Sequence, residues 1–133
     1  MNKLKMIYCR IYQTVFHIAL PFLPYRNPKI LNSVTEIPGV LAEKGLHRPL
    51  LVTDASIRGL GLTKRLEEVL TEEDGILSVY DKTKPNPTTK MVMEALQIYR
   101  HNDCDCIISF GGGSPMDCAK AVGACVARPK KPL

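Results

Sequence analysis

Apolar and polar positions follow two rhythms along this chain, and Gly and Pro mark where one gives way to the other. At the start, Leu4, Ile7, Ile11, Val15, Ile18 and Phe22 recur at helical spacing, with Lys3, Arg10, Gln13, Thr14 and His17 on the other side. This predicts an amphipathic helix ended by Pro21 and Pro24. After a connection at Pro28, residues 30–34 predict a short strand, and residues 36–44 a helix that stops at Gly45. The compact run 49–53 (PLLVT), ended by Asp54, predicts a strand buried on both faces. Residues 61–73 predict a helix whose core stripe is Leu62, Leu66, Val69 and Leu70, closed by Gly75.

The pattern then repeats. Residues 76–80 predict a strand, 81–87 (DKTKPNP) a loop, and 88–100 an amphipathic helix carrying Val92, Ala95, Leu96 and Tyr99. Residues 104–110 predict a strand that runs through Gly111, Gly112 and Gly113 into a helix over 114–126. Strands alternating with helices specify an α/β fold with a doubly wound, mainly parallel, Rossmann-like sheet, preceded by the N-terminal helix. We divide the chain into an arm, 1–28, and a single nucleotide-binding-type domain, 29–133.

Charge sharpens that division. Five bases and no acid lie in residues 1–29, whereas from Ile30 onward 13 bases face 13 acids, so the net charge of +5 belongs to the arm. A basic face on the domain is therefore not indicated, and nucleic-acid binding loses its support. Arg10, Gln13 and His17 interrupt any signal-peptide core, and the uncharged run 11–25 is too short and proline-containing to span a membrane. A transit peptide or surface anchor suits the acid-free pattern; a helix packed on the domain or on another subunit is the plainer alternative. Five cysteines without framework spacing indicate free thiols and a cytoplasmic setting. Cys104 with Cys106, and Cys118 with Cys125, read as small packing residues ahead of a thiolate metal site.

The most informative segment is FGGGSPMDCAK, residues 110–120. Three glycines leave a strand and lead into Ser114 as the expected N-cap, Pro115 at the first helical position and Asp117 three residues past the cap. First-turn amides lack helical partners and sit at the positive end of the helix dipole, so a phosphate over Gly112 and Gly113 would be held by backbone. The segment is neither G-x-G-x-x-G, because Met116 falls at the third glycine, nor a Walker loop. A tight turn with glycines for packing remains the bland reading. Asp54, at the carboxyl end of its strand, could accept from a ribose diol and repel a 2′-phosphate, or could simply cap the segment beginning at Ala55.

Taken together, LLVTD at 50–54, PNPT at 85–88 and CDCIISFGGGSPMDCAKAVG at 104–123 resemble the N-terminal half of iron-containing (group III) alcohol dehydrogenases. GGGSPMDCAK follows that family's GGGSxxDxAK, and the RIYQ and LPYR segments of the arm are similar to bacterial members with a helix before the first strand. The resemblance implies an oxidoreductase that interconverts alcohols and aldehydes or ketones using NAD, with a second, helical domain holding iron or zinc. It places Gly111, Gly112, Gly113, Ser114, Met116 and Asp117 at the pyrophosphate loop, Asp54 at the adenosine ribose and Asn86 near the nucleotide cleft. Asp117 is expected to cap the loop amides and Ser114; Lys120 matches the family's lysine as a supporting residue. Lys82, Thr83 and Lys84 replace the small residues common before PNPT, and Asn32 and Ser33 stand where glycines are frequent.

The metal ligands and the second half of the nucleotide site are expected beyond Leu133, so no catalytic or metal residue is assigned within 1–133. His17, His47 and His101 have no ligand spacing. The expected partners are a small alcohol or aldehyde and a possible second copy of the chain. Two other readings stay open: a non-catalytic nucleotide- or phosphate-binding module, and a related polyol dehydrogenase or dehydroquinate-synthase-like enzyme.

Overall fold

The computed structural model describes residues 3–22, 28–72 and 75–130, with side chains from residue 7 onward. It divides into two compact units, residues 1–30 and 31–133. In the first, α1 (Lys3–Ala19) is followed by a 3-10 turn, Leu20–Phe22. Pro21 sits in that turn, and Pro24 lies outside the described residues. At 3.6 residues per turn, the apolar side chains from Ile7 to Ile18 spread over roughly 180° of α1, and Arg10, Gln13, Thr14 and His17 over roughly 100° opposite.

The second unit is a three-layer α/β structure. Its strands are β1 (Pro49–Val52), β2 (Ser78–Tyr80) and β3 (Cys106–Ser109), all parallel, in the order β2-β1-β3. Leu51 pairs with Val79 on one side and with Ile108 on the other. The helices are α2 (Ile37–Glu43), α3 (Ala55–Gly59), α4 (Lys64–Thr71), α5 (Thr89–His101) and α6 (Gly113–Ala127). Strand alternation sends Leu50 and Val52 to a core shared with α5 and α6, through Val92, Leu96, Cys118 and Val122. Leu51 goes to the opposite core, with Leu66, Val69 and Leu70 of α4. All four residues of β1 are buried, as a central strand covered on both faces must be.

Three expectations need correction. Residues 30–34 form no strand: Ser33 caps a 3-10 turn, Val34–Glu36, accepting from the Thr35 amide at 3.2 Å, while Glu36 Oε1 accepts from the Ser33 amide at 3.1 Å. This reciprocal box outweighs the short apolar run. The predicted helix 61–73 begins only at Lys64, after a separate α3, and its expected end at Glu73 lies outside the described residues. Gly61 has φ +74°, which breaks the helical path, and Leu62 is 58% exposed instead of in the core.

The start of β1 is held by Asp105. Its carboxylate accepts from the His47 amide at 2.7 Å and the Arg48 amide at 3.0 Å, and its own amide donates to the Arg48 carbonyl at 3.0 Å. Burial alone would raise this carboxyl's pKa, but the backbone donors hold it below the usual range. The latch fixes the β1–β3 register that the candidate site depends on.

Candidate nucleotide site

Because β1 is paired with β2 on one edge and β3 on the other, the chain changes direction of winding between the carboxyl ends of β1 and β3. In open α/β sheets that is where the crevice for a ligand forms. Two segments meet there: Asp54 after β1, and the triple-glycine bend after β3.

Asp54 is the N-cap of α3, its Oδ1 accepting from the Ile57 amide at 2.9 Å. Gly111 has φ +139°, and a Cβ built on it would lie 3.0 Å from both Ile57 Cδ1 and Pro115 Cγ and 3.6 Å from Asp54 Oδ2. Only glycine lets the bend pass this close to α3. Gly112 is the N-cap of α6, with φ −82° and ψ −160°, and Gly113 is its first residue. A Cβ on either would meet nothing within 4 Å, so both backbones border open space.

The helix therefore begins earlier than Ser114, correcting the expected cap. Pro115 still falls in the first turn, where no amide hydrogen is called for, and the first helical bond runs from the Met116 amide to the Gly112 carbonyl at 3.4 Å. Asp117 lies beyond the first turn, exposed, and does not serve as the cap.

A cleft of about 430 Å³ opens here. The segment after β1 (Asp54, Ala55 and Ser56), the loop after β2 (Thr83, Lys84 and Pro85) and the start of α6 (Gly112, Gly113, Ser114 and Pro115) all line it. An isolated antiparallel bridge between Asp54 and Lys82 joins the first two of these segments. Of the residues singled out from sequence, Asp54, Gly112, Gly113 and Ser114 thus line one cleft, and Gly111 packs beside it against Ile57 and Pro115. Asn86, with φ +57°, follows the lining residue Pro85 without lining the cleft itself, and Met116 and Asp117 do not line it either. Thr83 and Lys84 were missed, since the bridge that brings them beside Asp54 joins residues 28 apart and leaves no local pattern; Ser56, two residues after Asp54, was missed as well.

Arg58 of α3 donates Nε and Nη2 to Glu67 Oε1 and Oε2, both at 3.1 Å, and Nη1 to Asp81 Oδ2 at 2.8 Å. Thr63 Oγ1 donates to Glu67 Oε1 at 2.7 Å. The Arg58 hydrogen bonds hold the Glu67 carboxyl below its usual range, and Arg58 is raised in turn, above all by Glu67. The cluster braces α3 and α4 against the loop that carries Lys82 to Pro85.

The geometry defines an α/β domain with an open crevice at its switch point. Residues 30–132 match the family described as iron-containing alcohol dehydrogenase, and the chain belongs to that family. It is 32% identical over 111 residues to 1,3-propanediol dehydrogenase of Klebsiella pneumoniae, covering 82% of this chain and 28% of that protein. To the NAD-dependent methanol dehydrogenase of Bacillus methanolicus it is 30% identical over 106 residues, or 80% and 28% of the two chains. Among solved structures it superposes on a 1,3-propanediol oxidoreductase with TM-score 0.68 and 31% identity, over 73% of this chain and 25% of the other. Sulfoacetaldehyde reductase from Bifidobacterium kashiwanohense, in complex with NAD+, gives TM-score 0.61 and 32% identity over 68% and 24%. The chain spans about a quarter of the length of these relatives.

Among the described residues, no three His, Cys, Asp or Glu side chains converge where they could hold a metal ion. His17, His47 and His101 are separately exposed. The residues present therefore do not fit the family's metal, and no step is assigned through it. The open cradle of Gly112 and Gly113, which a side chain would fill, does fit a diphosphate.

Proposed function

We propose that this chain carries the NAD-binding half-site of an alcohol dehydrogenase acting on small alcohols and the corresponding aldehydes or ketones. The observation that carries the reading is the bare backbone of Gly112 and Gly113, open to the cleft at the start of the 15-residue helix α6. First-turn amides there are free of helical partners and lie at the positive end of the helix dipole, which suits the coenzyme's diphosphate. Asp54 suits the adenosine ribose. Capping α3 occupies Oδ1, and a carboxylate keeps further acceptor capacity on Oδ2 for a diol hydroxyl.

The same negative charge disfavours a 2′-phosphate, hence NAD over NADP. Lys84, which also lines the cleft, supplies a cation for the diphosphate in this reading. When bound, the nicotinamide ring accepts or returns a hydride; this chain's part is to hold the adenosine-diphosphate portion. Asn86, Met116 and Asp117 belong in this reading to the rim of the site.

Isothermal titration of the 133-residue chain with NAD+ and with ADP-ribose tests the proposal. Saturable uptake of both is expected, since the contacts argued here all fall on the part the two ligands share. Absence of heat with either ligand from a chain whose circular dichroism shows folded α/β structure would overturn it.

A further inference from the structure

The cofactor reading leaves the basic arm without a role, and α1 has the distribution of a helix made to lie in an interface. Val15 and Tyr8 form the centre of its apolar side, with Ile7, Ile11 and Ile18 toward one edge and Tyr12 and Phe16 toward the other. With the arm taken by itself all seven are uncovered, and the rings of Tyr12 and Phe16 stack at 6.4 Å between centroids. A coiled-coil partner would ask for a narrow seam repeating every 3.5 residues. Tyr8, Ile11, Val15 and Ile18 do alternate at that spacing, but Ile7, Tyr12 and Phe16 extend the apolar side beyond such a seam. The apolar side is also about half the circumference, wider than a dimer seam.

Charge narrows the partner further. Residues 1–29 hold five bases and no acid, so the complementary surface is anionic. At 17 residues, α1 is roughly 25 Å long and too short to span a bilayer. Among the described residues no helix is long and apolar enough to cross one. A wide apolar side that is aromatic along one half, a narrow polar strip carrying Arg10, and an excess of bases together match a helix lying in the plane of a charged lipid surface. We propose that α1 docks the protein on the surface of anionic bilayers, its Ile and aromatic side chains among the upper acyl chains and its bases at the headgroups.

The test is flotation of the full chain with vesicles of phosphatidylcholine alone and of phosphatidylcholine mixed with phosphatidylglycerol. The full chain is expected to float with the mixed vesicles, to do so poorly with the neutral ones, and to be released by raised salt. Ile11→Glu, within the apolar side and far from the cleft residues in sequence, should weaken binding about tenfold or more. Arg10→Glu, which leaves the apolar side whole, should weaken binding to the anionic vesicles only. Equal flotation of Ile11→Glu and the unaltered chain would overturn the proposal, and so would no flotation with either vesicle. A third overturning result is a concentration-dependent dimer in analytical ultracentrifugation that Ile11→Glu abolishes, with no vesicle binding; it would assign this side to a second copy.

Discussion

The guanidinium of Arg58 meets both carboxylate oxygens of Glu67 side on and reaches Asp81 with its remaining nitrogen, so one residue of α3 ties α4 to the loop after β2. Side-chain exposures of 39%, 25% and 33% leave the cluster partly screened by solvent. Arg58→Gln is therefore expected to cost about 1 kcal/mol near neutral pH, by loss of the paired geometry and by leaving two carboxylates facing each other. Because Glu67 is held below its usual pKa, the stabilisation is present above the unfolded carboxylate's pKa and is lost as pH falls through the folded value. Urea melts of the two proteins should differ at neutral pH and converge in acid. Coincident melts at neutral pH would remove the brace from the account.

The neighbouring glycines of the bend separate fold from binding. Gly111 sits at φ +139° with Ile57 and Pro115 3.0 Å from any added Cβ, so Gly111→Ala should destabilise the domain by about 1–3 kcal/mol. Gly113 has open space in the same direction, so Gly113→Val should change stability by no more than about 0.5 kcal/mol. Its branched side chain would nonetheless fill the cradle, and NAD+ heat should vanish from the calorimeter. Retained affinity in a folded Gly113→Val chain would show that the diphosphate lies elsewhere.

What could be read from sequence follows the range of the interaction. PLLVT was legible because a strand covered on both faces is apolar at every position. The stripe of α5 was legible because Val92, Ala95 and Leu96 meet one core at helical spacing. The box at Ser33 and Glu36 was present as Ser-x-x-Glu and was obscured by Ile30 and Leu31, whose short apolar run imitates a strand. The triple glycine announced its bend but not its phase: any first-turn position tolerates Pro115, so proline could not fix where α6 begins. The approach of Thr83 and Lys84 to Asp54, and the latch of Asp105 on His47 and Arg48, are long-range pairings with no local signature.

Thiol reactivity should follow burial. Cys104, Cys118 and Cys125 are buried, whereas Cys9 is exposed on α1. Burial first, and then the adjacent Asp105 carboxylate, push the Cys106 thiol up to about 12, which leaves almost no thiolate at neutral pH. Titration with an aromatic disulfide reagent is expected to show a single fast phase that Cys9→Ser removes. Persistence of that phase in the variant would mean that β3 or α6 opens far more readily than their packing implies.

Asp54 caps α3, and different substitutions should divide that role from the one proposed for it at the ribose. As the cap of α3 it needs only a side-chain oxygen, which asparagine retains; as the residue facing the ribose it needs negative charge to turn away a 2′-phosphate. Asp54→Asn should therefore leave stability nearly unchanged while narrowing the gap between NAD+ and NADP+ affinities. Asp54→Ala should narrow the same gap and also cost about 1 kcal/mol through the lost cap. Lys84 bears on the outcome, because a cation lining the same cleft is available to any phosphate admitted once the carboxylate is gone. Lys84→Ala combined with Asp54→Asn should then lose the NADP+ affinity that Asp54→Asn gains. Titration of both dinucleotides against the three variants measures this directly, and unchanged selectivity in Asp54→Asn would confine Asp54 to capping.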